Sequence, residues 1–289
     1  VTSRFEKDYH ELLEAVKQQG DEVEVGEWQS QDVRSNPDMI SRELMHVTFG
    51  MSIPSTMREL DTQMGATLSR PWAEDHFQER VSGYPLNPPP SESYWPYAQE
   101  GNATHKEGEL FSHTYPERMW SKSAGHMGQR LDYERMGIRF PIGDLMDVVN
   151  QLDKNPWTRQ AYLPIWFPED TGAVQGQRVP CTLGYHFLVR RGKMDIVYYI
   201  RSCDLLRHFT DDVYMAARLC QWVRDQVHGP NMTGPGSFVP GDLIMHISSL
   251  HFFRGDYPIV DYKLDQFKER TKGTEIGPDG EDEIYGAPV

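Results

Sequence analysis

Cys181 follows Pro180, and twenty residues later comes the run Arg201-Ser202-Cys203-Asp204, with Asp212 eight residues beyond it. A thiol is a useful nucleophile only when its pKa falls toward neutrality, and a neighbouring guanidinium favours the charged form. Arg178 and Arg201 are the candidate neighbours. Arg201 with Ser202 also offers a planar fork and a hydroxyl, a pair suited to phosphate oxygens. Each residue has an ordinary reading as well. Free cysteines are among the most buried residue types, strand arginines usually extend into water, and a carboxylate near a helix start, as at Asp211-Asp212, commonly serves the helix dipole. His208 to Asp212 holds one histidine and two aspartates without a second histidine at i+4, so no metal site is expected. His246 and His251, five apart on a strand, face opposite sides and are individually more often structural. No P-loop and no G-x-G-x-x-G occurs.

The elements that must carry these residues are strands and one long helix. Leu183, Tyr185, Phe187 and Val189 alternate, Arg191-Gly192-Lys193 reads as a turn, and 195 to 202 returns as the second arm of a hairpin. On that arm Tyr199 and Arg201 share one face, Ile200 and Ser202 the other. Residues 161 to 167 and 243 to 253 also read as strands. From Asp212 to Val227 an amphipathic helix places Val213, Ala216, Leu219, Cys220 and Val223 inward, stopped by Gly229-Pro230. Asp144 to Leu152 is a second clear helix, ended at Asn155-Pro156. The first fifty residues read as two helical pieces, with Ile40, Leu44 and Val47 on one face and Glu43 beside them. Residues 82 to 130, rich in Pro, Gly and Ser, read as mostly loop, and 277 to 289 as a mobile acidic tail.

The chain has 289 residues, 43 acidic against 29 basic, for a net charge of −14. That balance argues against a protein that coats nucleic acid or an anionic membrane, so any anionic ligand must be met by a local arginine cluster. No apolar run approaches the roughly 18 residues of a membrane span, and the N-terminal segment lacks the core of a signal peptide, so a cytoplasmic protein is expected. Three cysteines without CxxC spacing indicate free thiols rather than disulfides or a zinc site. A single domain over 1–289 fits the length.

Taken together, these stretches resemble the thymidylate synthase family, including its deoxycytidylate hydroxymethylase branch. Arg42-Glu43-Leu44, Tyr115 ahead of Trp120, Asn155-Pro156-Trp157-Thr158-Arg159, Pro180-Cys181, Arg201-Ser202-Cys203-Asp204 through Asp212, and Ser249-Leu250-His251 stand in the family order over roughly residues 38 to 261. Residues 60 to 110 match poorly, while Ala287-Pro288-Val289 is similar to the family's closing tail. The resemblance implies an α+β fold, a mixed sheet packed on helices, and a homodimer formed through the sheet. It implies that Cys181 adds to C6 of a pyrimidine nucleoside monophosphate, so that C5 attacks the methylene of 5,10-methylenetetrahydrofolate, with no metal. By the same analogy Arg201 and Ser202 hold the 5′-phosphate, joined by Arg159 from the partner subunit. Glu43 organises water and proton transfer near C4 and C5, Tyr115 sits close to C5, Asp204 contacts the folate pterin, and His251 approaches the sugar.

Four departures refine that expectation. Asp212 stands where uracil-specific members carry asparagine; a carboxylate accepts from the N4 amino group of cytosine but cannot donate to O4 of uracil. Thr182 replaces histidine after the nucleophile and Ile200 replaces glutamine before Arg201, both as in the hydroxymethylase branch. Water rather than hydride is then expected to reach the exocyclic methylene, with Glu43 and Asp212 as bases. Phe253 replaces a tyrosine whose hydroxyl contacts the sugar, leaving CMP and dCMP both open. The expectation is a dCMP hydroxymethyltransferase. The alternatives are a CMP hydroxymethylase of nucleoside antibiotic synthesis, a dCMP or dUMP methyltransferase, and a non-catalytic nucleotide- or RNA-binding protein on the same fold.

Overall fold

A computed structural model describes residues 2–28, 31–97, 106–107, 109–121, 143–173, 178–228 and 238–272. Ser3 opens helix α1 (Arg4–Gln19) with a reciprocal capping box to Glu6. Short strand β1 (Asp21–Val23), the ribbon β2 (Glu27–Trp28) with β3 (Gln31–Asp32), and long strand β4 (Ser41–Ser52) follow. Helices α2 (Met57–Met64) and α3 (Trp72–Arg80) come next, then β5 (Lys106–Glu107), β6 (Leu110–Phe111) and α4 (Tyr115–Met119). Helix α5 (Leu145–Lys154) leads to β7 (Tyr162–Pro164), β8 (Thr182–Arg190) and β9 (Lys193–Asp204). Helix α6 (Phe209–Gln226), β10 (Val239–Phe253) and α7 (Tyr257–Thr271) complete the described chain.

Six strands form one mixed sheet in the order β1-β4-β10-β9-β8-β7, in which only the β9–β10 pair is parallel. The architecture is α+β, as the sequence implied. The β8–β9 hairpin turns at Arg191 and Gly192, whose φ values of 51° and 76° both lie in the left-handed region that a two-residue type I′ turn requires. Helix α6 lies across β9 and β10 on one face, and α1 across β4. Phe209 at the start of α6 packs edge-on to Phe49 at 5.2 Å and parallel to Phe5 at 6.3 Å, tying both helices to the sheet. A continuous apolar core runs from Phe5 to Leu264. Among the described residues no helix is long and apolar enough to cross a membrane.

Three local expectations change. Residues 41–52 are a strand, not a helix: Leu44 and Val47 are only half-buried, and eleven positions of β4 pair with β10. Those cross-strand bonds outweigh a spacing of four and three that fits a helix as well. In the segment expected to be loop, α4 is a capped helix, with Thr114 and Glu117 exchanging hydrogen bonds and Pro116 in its first turn. Helix α6 starts at Phe209, three residues ahead of Asp212. The tail at 277–289 lies outside the described residues.

Candidate active site

One cavity of about 620 Å³ opens along the ends of β4, β8, β9 and β10 and is walled by α3, α4 and the start of α6. Cys181, Tyr115, Arg201, Ser202, Asp204, Asp212, Glu43 and His251 all line it. Arg159 does not: it is exposed on the segment before β7.

Cys181 sits at the entry to β8 and is half-buried, whereas Cys203 and Cys220 are sealed in the core. Burial holds the Cys203 thiol well above its ordinary range, with Asp212 and Asp204 adding to the effect, and burial likewise raises Cys220. The inert reading of a free cysteine therefore fits those two. The Arg201 guanidinium is anchored on backbone, Nε to the carbonyl of Pro180 at 3.0 Å and Nη2 to that of Val179 at 3.2 Å, and Nη2 lies 3.9 Å from the Cys181 sulfur. The guanidinium is thus held beside the sulfur by two backbone acceptors. Arg178 borders the same cavity.

A hydroxyl chain stands next to the sulfur. Thr182, fully buried, donates to the Tyr115 hydroxyl at 3.2 Å and meets the Tyr198 hydroxyl at 2.8 Å. Burial raises both phenols, helped at Tyr115 by the Cys181 and Asp212 charges, so they remain protonated donors. Both acids at the start of α6 line the cavity, and Asp211 in addition accepts the backbone N–H of Ser69 at 2.9 Å, fastening the segment before α3. Burial pushes Asp212 up to about 7, opposed by Arg80 and reinforced by Asp211.

At the strand β10 end, Glu43 stands opposite His251 and accepts the Ser249 hydroxyl at 2.6 Å. This carboxylate belongs to the wall shared with His251. His251 Nδ1 is buried without a partner. Asp204 is heavily engaged: one oxygen accepts the N–H groups of Leu206 and Arg207, both at 3.0 Å, and the other meets the Arg207 guanidinium at 3.2 Å. Arg207 in turn grips Asp256 through two bonds of 2.9 Å. Asp204 therefore fixes the turn into α6 while it borders the cavity.

Helix α3 supplies a wall that the motifs did not reveal. Trp72, His76 and Arg80 recur at a spacing of four, so they share one face, and all three are buried against the cavity. Trp72 stacks on His76 at 4.9 Å, and Trp95 stacks on His208 at 5.6 Å, making an aromatic side. His76 Nδ1 meets Glu79 at 3.1 Å and Ser91 at 3.0 Å. Burial, with Arg80 nearby, keeps His76 neutral despite Glu79. The four-residue spacing was the available signal.

The family model for thymidylate synthase matches residues 106–279. A thymidylate synthase of Fusobacterium nucleatum is 23% identical over 188 residues, 65% of this chain and 62% of that protein. One of Streptococcus mutans is 29% identical over 139 residues, covering 44% and 46%, and one of Rhodopseudomonas palustris is 27% identical over 154 residues, covering 53% and 42%. The chain spans less than two thirds of the length of each of these relatives.

Proposed function

The chain belongs to the thymidylate synthase family, and from that premise we propose that it is a folate-dependent hydroxymethyltransferase acting at C5 of dCMP. In this reading dCMP, 5,10-methylenetetrahydrofolate and water give 5-hydroxymethyl-dCMP and tetrahydrofolate. Cys181 adds through sulfur to C6, and the electron pair released to C5 forms the bond to the one-carbon unit. Arg201 and Ser202 hold the 5′-phosphate, and Arg159 reaches it from the partner subunit of a homodimer. Tyr115 stands near C5, His251 near the sugar, and Asp204 with the aromatic wall of Trp72, Trp95 and His208 borders the folate. Loss of the C5 proton and cleavage of the folate N–CH2 bond release tetrahydrofolate and leave an exocyclic methylene; water adds there, with Asp212 accepting a proton and Glu43 ordering solvent, and the electron pair returned to the ring expels the Cys181 sulfur from C6.

The observation that carries this reading is the pairing, in one cavity, of a guanidinium-contacted thiol with a cavity-facing carboxylate at the position that decides the base. An ionised Asp212 accepts from the N4 amino group of cytosine, a donor that uracil lacks. Incubation with dCMP, CMP or dUMP and methylenetetrahydrofolate, followed by weighing the product, is the test. A hydroxymethyl increment on dCMP is expected; a methyl increment, or no product with any of the three, would overturn the proposal.

A further inference from the structure

Arg80 is 3% exposed, yet its side chain makes no hydrogen bond or ion pair with any described residue, and its buried Nε is without a partner. The guanidinium lies over the Tyr115 ring, 4.1 Å from its centre, and borders the cavity that holds Cys181 and Asp212. A ring face compensates a buried cation only in part, and five N–H donors normally find acceptors when removed from water. About two turns earlier on the same face of α3, Trp72 Nε1 is also without a partner. A wall that keeps such donors free is built to meet acceptors on a ligand.

We propose that Arg80 contacts the substrate, donating to N3 of the cytosine while Asp212 accepts from the adjacent N4 amino group. The inference rests on the reading of Cys181 as a nucleophile toward a cytidine nucleotide. When the sulfur–C6 bond forms, the C5–C6 π pair shifts to C5–C4, the C4–N3 π pair moves onto N3, and negative charge builds there. Arg80 stabilises that charge without releasing a proton, until C5 uses the electron pair to bond the one-carbon unit. Donor and acceptor on two separate side chains thus supply what a single amide supplies to uracil.

The test uses the Cys181→Ser protein, in which binding is separated from the covalent step, with titration calorimetry of dCMP, CMP and dUMP and thermal melts of the ligand-free protein. Replacing Arg80 by Met is expected to weaken cytidine nucleotide binding by about tenfold or more, the weight of one charge-assisted hydrogen bond. The ligand-free melting temperature should hold, because the side chain makes no hydrogen bond or ion pair with any described residue that its loss would break. Arg80→Lys, which keeps the charge without the fork, should recover part of the affinity. Unchanged affinity in Arg80→Met, or a lowered ligand-free melting temperature that marks a structural role, overturns the assignment while the proposed reaction stands. Absence of cytidine nucleotide binding in the Cys181→Ser protein itself overturns both.

Discussion

Burial moves the Asp212 carboxyl from its ordinary 3.8 up to about 7, against the pull of Arg80 and with a push from Asp211. Between those two values the folded chain holds a proton that the unfolded chain has released, so this group's contribution to stability is present below 3.8 and lost as pH rises through about 7. Asp212→Asn should therefore gain on the wild type as pH rises through that window, by a few kcal/mol at most; denaturant melts at pH 5 and pH 8 measure the difference. An equal gap at both pH values would remove burial as the cause. The amide also donates to O4 and accepts from N3–H, so the same variant should shift preference from dCMP toward dUMP in the product assay. Cys181→Ser should lower turnover by about a thousandfold or more while nucleotide binding persists. Replacing Cys203 with Ala leaves the cavity's thiol in place and should retain turnover.

Tyr115 reaches the cavity because α4 begins where it does. Thr114 accepts the Glu117 N–H at 3.2 Å, donates to the Leu86 carbonyl at 2.7 Å, and so fixes the first turn of a helix only five residues long. Thr114→Ala should cost about 1 kcal/mol of stability, the usual weight of a lost N-cap, and should lower kcat more than nucleotide affinity, since the phosphate grip is elsewhere. Denaturation curves and steady-state kinetics check both parts. The T-x-x-E signature of this helix was present in the sequence, but the surrounding Pro and Gly residues made the region read as loop. The hairpin of β8 and β9 was legible because both arms alternate and the turn residues are local. The strand of Glu43 was not, because its long-range partner, β10, decides its conformation and its outer face is not apolar enough to show a period of two. The α3 wall escaped for another reason: Trp72, His76 and Arg80 match no motif, and only the cavity gives their spacing a meaning.

At the scale of the molecule, alternate residues of β8, β9 and β10 stay half-buried or exposed while their neighbours are sealed in the core. His186, Val197 and Ile244 form a row across β8, β9 and β10 through their register, and none of the three is fully buried. Tyr199 lies between Tyr162 at 6.3 Å and the exposed His246 at 5.4 Å, and Met45 is 52% exposed. A largely apolar sheet face of this kind is the surface through which the proposed homodimer would form. Val197→Glu should then give a monomer in sedimentation, with activity lost although Cys181 and Asp212 are untouched. The exposed position of Arg159, outside its own cavity, allows a sharper prediction. If each phosphate is held by the partner's arginine, Cys181→Ser and Arg159→Ala proteins are each nearly inactive as homodimers. Co-refolded as a mixture, they should regain activity, because one site of the heterodimer combines an intact Cys181 with an intact Arg159 from the other subunit. The other site has neither, so recovery should approach one quarter of the wild-type rate per total site, for random pairing. A mixture that stays as inactive as its parents, while sedimenting as a dimer, would mean that Arg159 serves no site across the interface.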